Sequence, residues 1–162
     1  MLAYPQITNG TKKDLDAIIH VFTLSVSELT HKEYSIAQRK VWVNAGQNKE
    51  KWIKRLAEQY FILARFENQL AGFASLTSTG YVDVLYVNPL FARNGVGFAL
   101  LKHIEAEAVK QNLPELTSDV SETAKPLFLS FGFEALHKNE FEIDGQTIHN
   151  YKMIKSTKLN PQ

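Results

Sequence analysis

Hydrophobic side chains in the first third of the chain recur at intervals of three and four residues, the spacing that puts them on one helix face. The first such run extends over residues 15–29, and Thr11 and Asp14 before it are spaced as a capping box. The same spacing predicts two more helices, over residues 35–45 and from about residue 48 to 59. The chain therefore opens with helices.

The pattern then changes to short runs of aliphatic and aromatic residues, which are typical of β-strands. Three strands are predicted, joined by short polar turns into an antiparallel meander: residues 60–66, 70–77 and 81–87. A helix from about 95 to 111, a strand over 116–120 and a helix over 123–130 are predicted next. Residues 134–143 and 146–154 flank Asp144-Gly145, a dipeptide typical of hairpin turns. Polar residues 155–162 are predicted to form a frayed tail.

The order of these elements predicts one central sheet of mixed α/β (α+β) type, flanked by helices. A strand–helix–strand crossover makes the strands that end at Val87 and Val120 parallel neighbours, whereas the other pairs are antiparallel. A chain of 162 residues is enough for one compact domain and short for two, so residues 1–162 are predicted to form a single domain.

Composition narrows the function classes. Eighteen basic and seventeen acidic side chains give a net charge of +1, without the basic excess of a nucleic-acid-binding surface. Apolar runs fall far short of the roughly 20 residues of a membrane span, and the N-terminus lacks a signal peptide's pattern. The absence of cysteine excludes disulfides and thiolate metal sites. We expect a cytoplasmic protein that has neither nucleic acid nor a membrane as its partner.

The strongest chemical signal is a strand that passes through a turn into a helix beginning at Gly95-Val96-Gly97. The first N–H groups of a helix have no partner within it, and the helix dipole favours an anion such as phosphate there. Glycine has no Cβ to keep the anion from the backbone, and Arg93 could add a positive charge. The alternative is that these glycines only permit tight packing between the helix and the sheet.

Two common phosphate-binding motifs are excluded. Phe98-Ala99 stand where a P-loop needs a lysine followed by serine or threonine. A dinucleotide fingerprint needs three spaced glycines in an early strand–helix–strand unit, and this turn has two glycines after a meander.

Three segments together resemble the GNAT superfamily of acetyl-CoA-dependent N-acyltransferases. They are Tyr86-Val87-Asn88-Pro89, Ala92-Arg93-Asn94-Gly95-Val96-Gly97, and the run from Ser121 through Phe128 to Gly132-Phe133. Within the superfamily, Ala124-Lys125-Pro126-Leu127-Phe128 and the ending Tyr151-Lys152-Met153 look most like the YafP-type branch. Order and spacing agree from about Tyr60 to Met153, whereas the N-terminal helices agree only in type. The resemblance implies a GNAT-like fold whose parallel strand pair splays apart at its carboxyl ends.

The resemblance also implies where acetyl-CoA binds. Its pantetheine arm would pair with a strand edge in the gap, and its pyrophosphate would lie on the helix start. A backbone N–H of Tyr86 or Val87 would hold the oxyanion. The implied cofactor residues are Leu85, Tyr86, Val87, Arg93, Asn94, Gly95, Val96, Gly97, Phe98, Ser121 and Phe128.

The chain departs from the superfamily pattern at two positions. Ala92 replaces a frequent glutamine or arginine, and Phe128 replaces the tyrosine that usually protonates the departing thiolate. Tyr86 and Tyr151 are candidate substitutes for that acid.

Asp83 is the candidate general base, acting directly or through a water molecule, because it is the one carboxylate in an apolar strand. Strand alternation puts Asp83 on the same face as Tyr81 and Leu85. The alternative is that Asp83 faces solvent, or is fixed by Arg65 or a neighbouring loop.

His31, Tyr34 and Trp42 follow the first helix, where this superfamily commonly lines its acceptor pocket. Trp42 and Trp52 could form an aromatic wall of that pocket, and the alternative, which we favour for both, is that they fill the core. His137 and His149 on the closing hairpin are poor grounds for a metal site, and none is predicted. The predicted function is acetyl transfer to a small-molecule or peptide primary amine in a ternary complex. A non-catalytic CoA-binding or sensory module is the alternative, and two copies could pair through the closing hairpin.

Overall fold

A computed structural model describes residues 4–158 as seven strands, five α-helices and short connecting turns. The strands are β1 (Gln6–Asn9), β2 (Tyr60–Phe66), β3 (Gln69–Leu76), β4 (Tyr81–Val87), β5 (Glu115–Ser121), β6 (Glu134–Ile143) and β7 (Gln146–Ser156). The helices are α1 (Leu15–Leu24), α2 (Ile36–Ala45), α3 (Lys49–Glu58), α4 (Val96–Lys110) and α5 (Lys125–Ser130). Across this range, each helix falls short of the length and apolar character needed to traverse a bilayer.

All seven strands belong to one sheet, in the order β1-β2-β3-β4-β5-β7-β6. Only β4 and β5 are parallel among the described strands, and every other neighbouring pair is antiparallel. The predicted mixed sheet with a single parallel pair is therefore confirmed.

The sheet is covered on both faces by apolar side chains, which form two cores. On one face, α4 packs its buried side chains, among them Leu100 and Ile104, against the sheet. On the other, Ile18 and Phe22 of α1 and Trp52 of α3 pack against it. Trp52 is 1% exposed, so its interpretation as a core residue is confirmed.

Gly72 of β3 allows α4 to approach the sheet closely. A Cβ on this residue would lie 2.8 Å from the Tyr86 carbonyl oxygen and 2.9 Å from Val96 Cγ1. Both distances are shorter than van der Waals contact, so any larger residue would push the first turn of α4 away from β4. Gly72 thereby fixes where the N-terminus of α4 stands.

The N-terminal region differs from the prediction in two respects. β1 was not expected, because four residues of mixed polarity carry no periodic signal, yet it pairs with β2. The first helix ends as an α-helix at Leu24 and continues as a π-helical turn, Ser25–Leu29, which hydrophobic spacing cannot distinguish. The capping box is confirmed, since the Thr11 N–H donates to Asp14 Oδ2 at 2.8 Å.

The predicted start of the frayed tail is wrong by two residues. Lys155 and Ser156 belong to β7, where they pair with Leu116 and Glu115 of β5. Their polar side chains gave no strand pattern in the sequence, although their backbone continues the β5–β7 ladder. Residues 159–162 of the predicted tail lie outside the described residues.

Candidate functional site

The two parallel strands separate soon after they begin to pair. Their register contains only Tyr81↔Thr117 and Val82↔Ser118, although β4 continues to Val87 and β5 to Ser121. The Ser118 hydroxyl donates to the Val82 carbonyl at 2.8 Å and closes the paired segment. A gap therefore opens between the carboxyl ends of β4 and β5, as the resemblance implied.

A β-bulge reorients β4 where this gap begins. Ala74 of β3 pairs with Leu85, and Leu76 pairs with Val82, so β4 contains one residue more than β3 over this interval. Leu85 consequently packs with the core beside α4. Asp83 lies on the opposite face, where it accepts hydrogen bonds from Arg55 of α3 and from Gln59, the residue that follows α3. The prediction that Asp83 shares a face with Leu85 is wrong, because alternation assumes a regular strand.

Backbone alternation beyond the bulge identifies which N–H groups of β4 face the gap. The Asn88 N–H donates to the Ala71 carbonyl of β3 at 2.8 Å. In an antiparallel ladder the residue two positions earlier, Tyr86, is turned to β3 in the same way. Val87 therefore directs its N–H toward β5, where the ladder is interrupted, and the Tyr86 N–H is not the one available.

The turn before α4 presents a row of unpaired backbone donors. Arg93 and Gly95 have left-handed backbones, with φ of 64° and 76°. No side chain caps α4, and within residues 4–158 no acceptor is found for the N–H groups of residues 93–98. The next N–H, that of Ala99, donates to the Gly95 carbonyl. Such a nest at the positive end of a fifteen-residue helix suits a phosphate group.

The structure requires glycine at positions 95 and 97 for two different reasons. Gly95 has space around it, but its positive φ is unfavourable for any residue with a Cβ. A Cβ on Gly97 would lie 2.6 Å from Leu127 Cδ2 of α5. The tight-packing alternative therefore holds for Gly97, whose backbone N–H is also one of the unpaired donors.

The side chain of Asn94 stabilises the turn from within. Its Nδ2 donates to the carbonyls of Phe91 and Ala92, at 3.2 and 3.0 Å. Arg93 is exposed and forms no ion pair among residues 4–158. Asn94 therefore holds the loop, and the guanidinium of Arg93 is available to an anion.

A cavity of roughly 600 Å³ connects this turn with the gap between β4 and β5. We call it the cofactor cavity. Of the residues implied for cofactor binding it brings together all but Asn94 and Phe128: Leu85, Tyr86, Val87, Arg93, Gly95, Val96, Gly97, Phe98 and Ser121.

A second cavity, of roughly 170 Å³, lies at the gap and adjoins the first, and we call it the acceptor cavity. Both cavities are lined by Trp42, Leu85, Tyr86, Ser121 and Ala124. The acceptor cavity adds aromatic and apolar walls together with polar groups, among them Tyr34, Asp83, Asp119, Phe128, Phe141, Ile148 and His149.

Tyr34 and Trp42 both line the acceptor cavity, with their ring centroids 5.2 Å apart. His31 does not join them. It is exposed, its Nδ1 lies 2.9 Å from the Glu28 carbonyl, and it lines neither cavity.

Asp83 is held by two side chains of the α3 segment. Its Oδ2 accepts hydrogen bonds from Arg55 Nε at 2.9 Å and from Gln59 Nε2 at 2.8 Å. Arg65, the partner considered from the sequence, pairs instead with Asp14 at 2.8 Å. Asp83 therefore lines the acceptor cavity as part of an ion pair.

Tyr86 lines both cavities, and its ring packs edge-on against Phe22 at 4.9 Å. Burial raises the pKa of the Tyr86 hydroxyl. Phe128 is 2% exposed, lines the acceptor cavity and packs edge-on against Phe133 at 4.9 Å. At the cavity wall, the position of the expected tyrosine acid thus carries an apolar ring.

A hydrogen-bonded cluster beside the acceptor cavity was not foreseen from the sequence. Glu122 Oε1 accepts from Tyr151 Oη at 2.8 Å and lies 3.0 Å from His149 Nε2. The Tyr34 hydroxyl donates to the His149 carbonyl at 2.8 Å and accepts from the Glu122 N–H at 2.9 Å. The spacing of His149 and Tyr151 on one strand indicates that the two side chains share a face of the sheet. Their common partner Glu122 lies more than 25 residues away in sequence, so the spacing does not reveal it.

The cluster also changes the titration of its members. The hydrogen bond from His149 is the main cause that lowers the pKa of Glu122. The hydrogen bond to Glu122 raises the pKa of Tyr151, and burial raises the pKa of Tyr34 to about 12. Glu122 is thus held as a carboxylate between two donors. Tyr151 lines neither cavity.

Comparison with known proteins identifies relatives along most of the chain. The family profile described as acetyltransferase (GNAT) domain matches residues 29–155. An uncharacterized N-acetyltransferase of Escherichia coli, YafP, is 32% identical over 149 residues, which are 91% of this chain and 93% of that protein.

Solved structures with the same fold are also found. A crystal structure of a GCN5-related N-acetyltransferase from Rhodopseudomonas palustris superposes with a TM-score of 0.91 at 29% identity, over 96% of this chain and 98% of that one. The PaiA N-acetyltransferase of Thermoplasma acidophilum, crystallised with coenzyme A, has a TM-score of 0.78 at 19% identity, over 95% and 99% of the two chains.

Proposed function

The chain belongs to the GNAT acetyltransferase family, and on that premise we propose that it transfers the acetyl group of acetyl-CoA to a primary amine. The amine attacks directly, while both substrates are bound in a ternary complex. One observation carries the proposal: a row of free N–H donors before α4 is joined by a continuous cavity to the gap between β4 and β5. The coenzyme A bound to the Thermoplasma relative supports the same cofactor here.

Acetyl-CoA would bind along the cofactor cavity. Its pyrophosphate accepts hydrogen bonds from the N–H groups of residues 93–98 and an ionic contact from Arg93. The pantetheine amides pair with the free edge of β4 as an added strand would. This route brings the thioester to Leu85–Val87, at the boundary with the acceptor cavity.

The oxyanion formed on attack would be stabilised by the Val87 N–H, which faces the interrupted ladder. A backbone donor of this kind is fixed before the reaction and needs no reorganisation when charge develops. Asp83 is the proposed base for the acceptor's ammonium group, directly or through a water molecule. Arg55 and Gln59 hold Oδ2 and so orient the carboxylate for that role.

Tyr86 would stabilise the departing sulfur by donating a hydrogen bond. Burial raises the pKa of the Tyr86 phenol further above that of a thiol, whose reference value is about 8.5, so the phenol keeps its proton in the presence of a thiolate. Tyr86 therefore acts as a hydrogen-bond donor to the thiolate rather than as its source of a proton.

The acceptor would be a cationic amine with an apolar portion, supplied by a small molecule or a peptide. The carboxylates of Asp83 and Asp119 line the acceptor cavity. Arg55 compensates the charge of Asp83, whereas Asp119 forms no ion pair among residues 4–158 and favours a positive charge. The side chains of Trp42, Phe141 and Ile148 form an apolar wall that suits a hydrocarbon or aromatic stem.

The test is release of free CoA from acetyl-CoA in the presence of a panel of primary amines. Asp83→Asn should lower kcat by about 10² or more, the usual contribution of a general base, with CoA affinity unchanged. Asp16→Asn, an exposed carboxylate of α1 that lines neither cavity, is the matched control and should behave as the unsubstituted chain. If no amine of the panel leads to release of free CoA, acetyl transfer to amines is contradicted.

A non-catalytic CoA-binding module is the second candidate. The buried apolar ring of Phe128 favours it, because this ring cannot protonate a thiolate. Tight CoA binding by calorimetry without turnover, unaffected by Asp83→Asn, would identify this alternative.

A further inference from the structure

His149 lies beside the site where the two substrates would meet. The β5–β7 ladder ends at the pair Ser121↔Asn150, and His149 is the next residue of β7 beyond it. Its ring stacks on Tyr34 with centroids 5.3 Å apart and planes inclined by 23°, and it lines the acceptor cavity. The ring therefore has one fixed orientation at the open end of the parallel pair.

The bond to Glu122 also determines the protonation pattern of this ring. A carboxylate only accepts hydrogen bonds, so His149 Nε2, 3.0 Å from Glu122 Oε1, carries the proton in the neutral imidazole. Nδ1 then has a free lone pair, and no partner for it is found within residues 4–158. In the same range, His149 is the only basic group within salt-bridge distance of Glu122. A positive charge on the imidazole would be compensated there.

The proposed reaction requires more proton transfer than Asp83 provides. The nitrogen of a primary ammonium bears three protons and that of the amide product bears one, so two must leave. Asp83 takes the first and so generates the nucleophile. The second must leave after the C–N bond has formed, and the thiolate needs a proton as the C–S bond breaks. The phenyl side chain of Phe128 has no proton to donate to this thiolate.

We propose that His149, oriented by Glu122, carries the second proton from the acceptor nitrogen to the sulfur of CoA. Nδ1 accepts the proton from the tetrahedral adduct and returns it to the thiolate, while the proton taken by Asp83 passes to solvent. The atoms balance, because an ammonium and acetyl-CoA give an amide, CoA thiol and one released proton. Transfer from imidazolium to thiolate is downhill, since their reference pKa values are about 6.5 and 8.5.

This inference rests on the proposed acetyl transfer and assigns His149 a catalytic role and Glu122 a positioning role. Several other titratable or charged groups face the ring or its cavity and enter any pH dependence. They are Tyr34 in the stack, Tyr151 at 5.9 Å between ring centroids, Lys125 with its Nζ 3.8 Å from the Tyr151 ring centroid, Glu140 opposite His149 on β6, and Asp83 and Asp119 in the cavity.

The experiment measures CoA release by the full chain and its variants between about pH 5.5 and 9. His149→Ala should lower kcat by roughly 10²-fold or more, with the KM for acetyl-CoA unchanged, and added imidazole should restore part of the loss. Glu122→Gln keeps a hydrogen-bond acceptor but removes the negative charge. It should move the low-pH limb of the profile of kcat against pH to lower pH, because the imidazolium loses the carboxylate that compensates its charge. His137→Ala, an exposed histidine of β6, is the matched control and should leave kcat unchanged.

The outcomes separate the two proposals. An unsubstituted chain that turns over, with a His149→Ala variant as active as the His137→Ala control, overturns the role of His149 alone. If His149→Ala loses kcat without rescue by imidazole, and Glu122→Gln does not shift the low-pH limb of the kcat profile, the ring has a structural role. That result also overturns the catalytic role of His149. No turnover by the unsubstituted chain with any amine overturns the acetyl transfer on which this inference rests.

Discussion

Val82 and Ser118 are the last two residues at which the parallel strands pair, and a side chain closes that pairing. The buried hydroxyl of Ser118 donates to the Val82 carbonyl at 2.8 Å. Beyond this contact β4 bulges, whereas β5 remains paired with β7 as far as Ser121. The point at which the sheet divides is thus fixed by one buried hydrogen bond next to one bulge.

Replacement of this hydroxyl tests its contribution. Ser118→Ala should lower the free energy of unfolding by about 1–2 kcal/mol, because a buried carbonyl loses its partner and a small void is left. Urea denaturation measures the change. Ser130→Ala is the matched control, since its exposed hydroxyl bonds only to the Leu127 carbonyl in the same helix, and it should change stability by less than about 0.5 kcal/mol. Equal losses in the two variants would contradict this function of Ser118.

A carboxylate on the first turn of α4 should abolish CoA binding. Gly97→Glu puts a negative charge beside the unpaired N–H groups, where it competes with the pyrophosphate for the same donors. We expect affinity to fall by at least about 10²-fold in calorimetry, since both charge and access change. Leu127 can move its side chain aside, so the fold should persist. Ala106→Glu adds the same charge on an exposed position of the same helix and should bind CoA as before.

The contribution of Arg93 should depend on salt. Arg93→Gln keeps a long side chain but removes the charge, and it should weaken CoA binding several-fold at low ionic strength. The difference should shrink as salt rises, because the Debye length falls from about 30 Å at 0.01 M to about 8 Å at 0.15 M. Lys102→Gln, an exposed cation further along α4, should show a smaller effect at every salt concentration. A loss for Arg93→Gln that is constant with salt contradicts an ionic contact.

The fold could be predicted from the sequence wherever a periodic pattern was longer than about six residues. The helices, the meander and the closing hairpin follow from such patterns and from dipeptides such as Asp144-Gly145. β1 and the end of β7 could not be predicted, because their polar residues are ordered by backbone pairing with neighbouring strands. That pairing is a long-range property, and local pattern does not contain it.

The candidate site was predictable to the extent that it is made of backbone. The donors before α4 and the gap after Val82 follow from a turn motif and a crossover. The orientation of Asp83 was not predictable, because one inserted residue turns its side chain to the other face. The bond between Glu122 and His149 joins elements distant in sequence, and a single sequence gives no signal for it.

Glu122 should make folding stability depend on pH in a defined direction. Its pKa is lowered in the folded chain, so the carboxylate contributes stability above its unfolded value of about 4.3. This contribution is lost as pH falls through the lower folded value. Glu122→Gln should therefore lower the Tm at pH 7, and the difference from the unsubstituted chain should shrink near pH 3. Glu58→Gln, an exposed position of α3, should show no such trend.

Phe128→Tyr should raise kcat and lower stability at the same time. The new hydroxyl would extend from a ring that lines the acceptor cavity, where it can donate a proton or a hydrogen bond to the departing sulfur. We expect kcat to rise between about 3-fold and 10²-fold, and the free energy of unfolding to fall by about 1–3 kcal/mol because the buried site has no partner for it. Phe133→Tyr is the matched control. Its ring is as buried as that of Phe128 but does not line the cavity, so stability should fall without a gain in kcat. A Phe128→Tyr variant that loses stability as the control does, with kcat unchanged, would mean that the sulfur lies out of reach of this position. The proton would then have to come from another residue of the acceptor cavity.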